Sequence, residues 1–302
     1  MKPLSRTWVD YLWIAARGFA MGTADIIPGV SGGTMAFILG IYEELLDAIH
    51  AVNLTFVRRL LSGQWRAAFA DFPWKFLLAL LSGIGAAILS LSQVLHWALE
   101  NEPQFVWAFF FGLVGASILV VRRRVRVWNM LNLTAAVLSA VGAYILVGLT
   151  PAETPHTSLL LFLSGALAIC AMILPGISGA FILVLLGKYR YILGAVKSFD
   201  LLPLILVAAG AVVGLLVFVR VLRWMLNKNH DLMVAILTGF MLGSLRKVWP
   251  WKIIEPTGAM VREINILPAA WNGGVILAVL LMIVGVIVVL IIEHLANRRE
   301  TV

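Results

Sequence analysis

An all-α integral membrane protein made of two inverted-topology repeats, each a re-entrant broken-helix hairpin plus three transmembrane helices, is predicted by three observations. The 302-residue chain is 62% hydrophobic and 13% charged, with a mean hydropathy of +0.99. Long stretches carry no charge at all. The sequence also repeats itself around a proline–glycine interruption.

The composition fixes the solvent, because soluble domains do not reach this apolar fraction. Residues 76–95, 105–121, 129–149, 201–219, 232–245 and 264–292 are free of Asp, Glu, Lys and Arg. Most of these runs approach the roughly 20 residues that a helix needs to cross the hydrocarbon. Their residues do not alternate in period two, which leaves helices rather than a closed barrel to satisfy the backbone in lipid. The single cysteine, Cys170, lies in an apolar stretch and reads as a packing residue. Asp10 and Arg17 interrupt any signal-like core at the N-terminus, so this segment is expected to stay in the mature protein.

Internal repetition comes next. Displaced by 147 positions, Ala24–Ile49 falls on Ala171–Val196, and eleven of the 26 pairs are identical, Pro28/Pro175, Gly29/Gly176, Ser31/Ser178 and Gly32/Gly179 among them. With an offset of 127, Gly83, Trp97, Gly112 and Ser117 fall on Gly210, Trp224, Gly239 and Ser244. With 143, Gly142 falls on Gly285. The repeats are therefore expected at 1–150 and 151–302, with an insertion at 53–74 in the first. That insertion sets Phe56, Leu60, Leu61, Trp65 and Phe69 beside Arg58, Arg59 and Arg66, a pattern for a helix in the membrane interface or for a basic loop.

Each half opens with a hairpin, near 8–50 and 157–196, whose arms are too short to cross comfortably, and then has three full spans. An odd number of spans per half makes the halves inverted. With the N-terminus inside, the expected cytoplasmic segments hold fifteen Lys and Arg and the outer segments seven, Arg17 being left out. The positive-inside rule then puts both termini in the cytoplasm. The net charge of +8 follows from this bias and from attraction to anionic lipids, with no nucleic-acid partner required.

The break carries the chemistry. Pro28 removes a backbone donor, and Gly29, Gly32 and Gly33 permit backbone approaches that side chains forbid. Irregular backbone at membrane depth survives only when buried in protein or lining a wet cavity. "PGVSGGT" opens a helix with Ser31 and Thr34 near its start, and "PGISGA" does the same with Gly176, Ser178 and Gly179. Two helix starts meeting near the midplane would offer free amides and dipole ends to a phosphate. Glycine and serine at this spacing also serve close helix packing. Arg17 and Asp25, ionisable within apolar sequence, are functional candidates or a structural pair. Arg190 is a candidate for the head group, and Asp25, Glu43 and Glu44 are candidates for proton coupling. No His pair, Cys cluster or HExxH spacing points to a metal or another cofactor.

"ADIIPGVSGGTMAFILGIYEELL", echoed by "ILPGISGAFILVLLGKYRYIL", resembles the PopT-type undecaprenyl phosphate translocase family of bacterial polytopic proteins. The resemblance implies return of the undecaprenyl phosphate carrier to the inner leaflet for reuse in peptidoglycan and other envelope polymers. It assigns no list of ligands. Two other functions stay open. The break is similar to the Pro-Gly-x-Ser-Arg-Ser-Gly motif of membrane lipid pyrophosphate phosphatases, but Gly32 stands where the arginine would be and Gly33 where the second serine would be. Phosphoryl transfer depends on such a cation, so hydrolysis is disfavoured. A secondary transporter of a small anion is the other. Oligomeric state is left open.

Overall fold

The computed structural model describes residues 6–27, 30–70, 72–152, 154–257 and 260–300. The first half runs α1 (Trp8–Ile26), α2 (Gly32–Ile38), α3 (Tyr42–His50), α4 (Leu54–Leu61), α5 (Trp65–Ala70), α6 (Trp74–Asn101), α7 (Pro103–Arg122) and α8 (Met130–Leu146). The second runs α9 (Ser158–Ile173), α10 (Gly179–Leu185), α11 (Tyr189–Ser198), α12 (Leu201–Lys228), α13 (His230–Ser244), strands β1 (Lys252–Thr257) and β2 (Met260–Asn265), and α14 (Gly273–Glu300).

Four of these helices, α6, α7, α12 and α14, are long and apolar enough to cross a bilayer; α8, α9 and α13 are shorter and also apolar. Large apolar side chains such as Leu89, Leu138, Leu202 and Ile205 face outward along them, which lipid tolerates and water does not. The chain is a multi-pass membrane protein.

Helix ends follow from local chemistry. Thr7 caps α1 with Asp10 in a reciprocal box, and the side chains of Asn53, Asn129 and Thr157 accept amide bonds at the starts of α4, α8 and α9. Such caps satisfy donors that a helix start leaves orphaned. Gly40 and Gly187, matched by the 147-residue offset, both have positive φ (71° and 67°) and turn α2 into α3 and α10 into α11. The second turn bends the chain by 102°.

The main helix contacts are α1 with α6, α9 with α12, α7 with α14 and α8 with α13. Glycines let these backbones touch. A Cβ on Gly83 would strike the Ala15 carbonyl, and one on Gly210 would strike that of Phe162. Likewise Gly18 lies on Leu80 and Gly165 on Val207. Gly112 packs on Met282 and Gly285 on Phe109. In lipid, where burial of apolar surface gives little drive between helices, such close packing supplies the attraction.

The insertion forms two short helices, α4 and α5, instead of one. The rings of Phe56, Phe69 and Phe72 cluster between them at 4.6–6.1 Å, while Leu54, Leu61 and Trp65 stay exposed. In the second half the whole segment is replaced by Phe199 and Asp200, between α11 and α12. One element was not foreseen. Residues 252–265, whose last two belong to the charge-free run 264–292, pair as an antiparallel hairpin with Lys252 opposite Asn265.

Candidate functional site

Both interruptions fall at the same place in their halves: α1 stops at Ile26 and α2 starts at Gly32, while α9 stops at Ile173 and α10 starts at Gly179. The fold brings them together. The Ser31 hydroxyl donates to the Met172 carbonyl at 2.8 Å and lies 3.3 Å from that of Leu174. The Gly176 amide donates to Thr34 Oγ1 at 2.9 Å, and the Tyr42 hydroxyl donates to the Ile173 carbonyl at 3.2 Å. Ser31, Thr34 and Tyr42 are at most 1% exposed. Gly176 has φ +97°, which a larger residue would adopt only with strain, and a Cβ there would strike the Ser244 hydroxyl and the Met241 backbone.

The two helix starts are not equivalent. In the first, the Gly32 amide donates to Asp25 Oδ1 at 2.7 Å and the Gly33 amide donates to Ser31 Oγ at 3.1 Å. Asp25 therefore places a carboxylate where an external anion would sit. Free amides were expected at both helix starts, and burial has instead recruited internal acceptors for Gly32, Gly33 and Gly176. In the second start, Met172 occupies the position matching Asp25. Ser178 does not cap α10, and among the described residues neither its hydroxyl nor the Gly179 amide makes a hydrogen bond. Ser178 and Gly179 are buried.

The remaining candidates lie elsewhere. Gly29, with Pro28, lies outside the described residues. Arg17 is half-buried on α1, two turns before Asp25. Glu44 pairs with Arg6 at 2.6 Å, Asp47 with Arg223 at 2.8 Å, and Glu43 approaches His230 at 3.7 Å. These α3 carboxylates hold one face of the protein and do not reach the junction of the breaks. Arg190 is exposed at the start of α11, whereas the neighbouring Lys188 is fully buried and donates to the carbonyls of Thr154 and Pro155. Lys188 thus ties the 154–156 connection to the α10–α11 turn. Sequence comparison of the halves missed Thr34 and Tyr42 as bridging groups. Thr34 matches Phe181, so the repeat gave no signal for it, and Tyr42 matches a tyrosine that makes no such bond among the described residues.

A protein-family profile described as undecaprenyl phosphate translocase-like matches residues 21–267. The polyprenyl-phosphate transporter of Vibrio cholerae is 38% identical over 307 residues, covering 96% of this chain and 98% of the relative. The polyprenyl-phosphate transporter of Staphylococcus aureus is 29% identical, covering 80% of this chain and 86% of the relative. No solved structure matches the chain. The profile spans both breaks and the contacts between them, and on that evidence the chain belongs to the undecaprenyl phosphate translocase-like family.

Proposed function

We propose that this protein flips undecaprenyl phosphate from the outer to the inner leaflet of the bacterial cytoplasmic membrane, passing the phosphate head group through the junction of the two breaks. The observation that carries the reading is the asymmetric junction itself. One helix start is filled by Asp25, and at the other neither the Ser178 hydroxyl nor the Gly179 amide has a hydrogen-bond partner among the described residues. A phosphate offers the acceptors that these donors lack. The polyprenyl tail needs no protein path, because lipid solvates it throughout.

Residues 1–150 and 151–302 act as two inverted repeats, and rocking one against the other opens the junction to each leaflet in turn. Support comes from the glycine contacts: the pairs Gly83–Ala15 and Gly210–Phe162, and Gly18–Leu80 and Gly165–Val207, are related by the offsets 127 and 147 read in the sequence. The arms α1–α2 and α9–α10 re-enter from opposite faces, with both termini cytoplasmic. Inward movement of an anion opposes an inside-negative potential by about 2.3 kcal/mol per charge per 100 mV. A proton carried on Asp25 compensates, with Glu43 and Glu44 as relays at the cytoplasmic side and Arg17 positioning the α1 arm. Arg190 and Gly29 complete the candidate head-group contacts.

The test is transbilayer movement of labelled undecaprenyl phosphate in proteoliposomes, with and without an imposed pH gradient. Movement that depends on the protein, and that Ser178→Ala slows without unfolding it, is expected. Release of inorganic phosphate from the pyrophosphate lipid, or competition by a soluble anion with no movement of lipid, would overturn the reading.

A further inference from the structure

On the face opposite the α3 carboxylates, beyond α13, Lys247 and Lys252 hold the same carboxylate oxygen, Glu263 Oε2, each at 2.9 Å. Their side chains are 17% and 9% exposed, while that of Glu263, on β2, is 38% exposed. The cations are thus set into the protein and the carboxylate closes them from outside. One carboxylate for two ammonium groups leaves a local excess of positive charge. Aromatic rings wall the pair: Lys252 lies 4.6 Å from the Trp107 ring and Lys247 lies 5.4 Å from the Phe181 ring. Trp249 and Trp251 adjoin, with ring centres 5.4 Å apart. Trp249 donates to the Ile266 carbonyl, whereas the Trp251 indole N–H is buried with no acceptor among the described residues. A buried donor left unmade is costly.

We propose that Lys247, Lys252 and Trp251 form an entry site for a phosphate monoester, and that Glu263 is a displaceable internal carboxylate that occupies it. A phosphate presents three terminal oxygens, enough for both ammonium groups and the indole N–H, where Glu263 serves the two lysines through one oxygen. Phe181 joins this site to the transport path, since it stands two residues beyond Gly179 on α10. Lys247 thus packs on the helix whose start carries Ser178 and Gly179. That the monoester is the head of a polyprenyl lipid rests on the transport reading; binding of phosphate at these lysines does not.

The experiment uses the full-length protein in nanodiscs and follows the fluorescence of the tryptophans during titration with undecaprenyl phosphate or with inorganic phosphate, alongside flipping in proteoliposomes. Glu263→Gln should tighten binding several-fold by removing the competing carboxylate. Lys247→Gln and Lys252→Gln should each weaken it about tenfold or more, the loss expected of one charge-assisted bond, and Lys252→Arg, which keeps the charge, should restore most of it. Response to the lipid alone supports entry of a lipid head group, and an equal response to inorganic phosphate supports the site with free phosphate as its ligand. Unchanged affinity in all three charge-removing variants, with flipping intact, overturns the entry site and leaves transport standing. Shifted affinities without any flipping support the entry site and overturn the transport reading.

Discussion

Replacing Ser31 by alanine removes one oxygen that does two things in the junction. It donates to the Met172 carbonyl at 2.8 Å and accepts from the Gly33 amide at 3.1 Å, and the residue is 1% exposed. Alanine leaves a part-buried carbonyl and a buried amide unpaired, the amide at about 1–3 kcal/mol and the carbonyl at less. With partial relaxation, the expected loss of stability is about 2–4 kcal/mol. Ser178, its repeat partner, makes no side-chain hydrogen bond to a described residue and is 7% exposed. Ser178→Ala therefore should cost no more than about 0.5 kcal/mol. Identical substitutions at duplicated positions are thus expected to separate: Ser31→Ala lowers thermal stability in detergent, and Ser178→Ala leaves it alone while slowing lipid movement. Equal destabilisation by the two variants would refute the asymmetric junction, as would a silent Ser31→Ala.

The other expectations are narrower. Asp25→Asn keeps an oxygen for the Gly32 amide and should fold normally, yet flipping should no longer respond to a pH gradient; a wild-type response removes Asp25 as the proton carrier. Gly83→Val and Gly210→Val drive a side chain into the carbonyls of Ala15 and Phe162 and should each destabilise by about 3 kcal/mol or more, while Gly85→Ala, with nothing within 4 Å, should be neutral or stabilising. Thermal melts of the purified variants separate the two classes. Burial of Glu263 works to raise its carboxyl, but Lys247 and Lys252 outweigh it and hold the group below the usual carboxylate range. Its hold on the hairpin is thus complete above that range and is lost as pH falls through the lowered value, so protease resistance at 252–265 should be constant from pH 7 to about 5 and fall only in stronger acid.

Much of this architecture is legible in the residues because duplication writes the same contact twice. Gly18 and Gly165, or Gly83 and Gly210, meet equivalent carbonyls, and their offsets could be read before any coordinates. The bonds that join the halves are harder to see. Thr34 reaches Gly176 and Ser31 reaches Met172, and neither bond is repeated in the other half, so comparison of one half with the other gave no sign of them. The expectation of free amides failed at the first break for a local reason: Asp25, noticed as a buried charge, turned out to be the acceptor that fills it. The β-hairpin escaped notice because "KIIEPTGAMVREIN" mixes charges, a proline and a glycine, which read as a connection. Its pairing with Lys247 and Lys252 depends on a contact across sequence that no periodicity encodes.

The direct test of the account joins the two breaks and asks whether the lipid still moves. In a chain with Cys170→Ala, cysteines replace Ser31 and Met172, residues joined by a 2.8 Å hydrogen bond from the Ser31 side chain to the Met172 main chain, and are linked by a bis-thiol reagent. If the head group passes between the breaks, linked protein in proteoliposomes will not flip undecaprenyl phosphate, and cleaving the link will restore movement to the rate of the unlinked variant. Flipping at an unchanged rate with the breaks fastened together would contradict it.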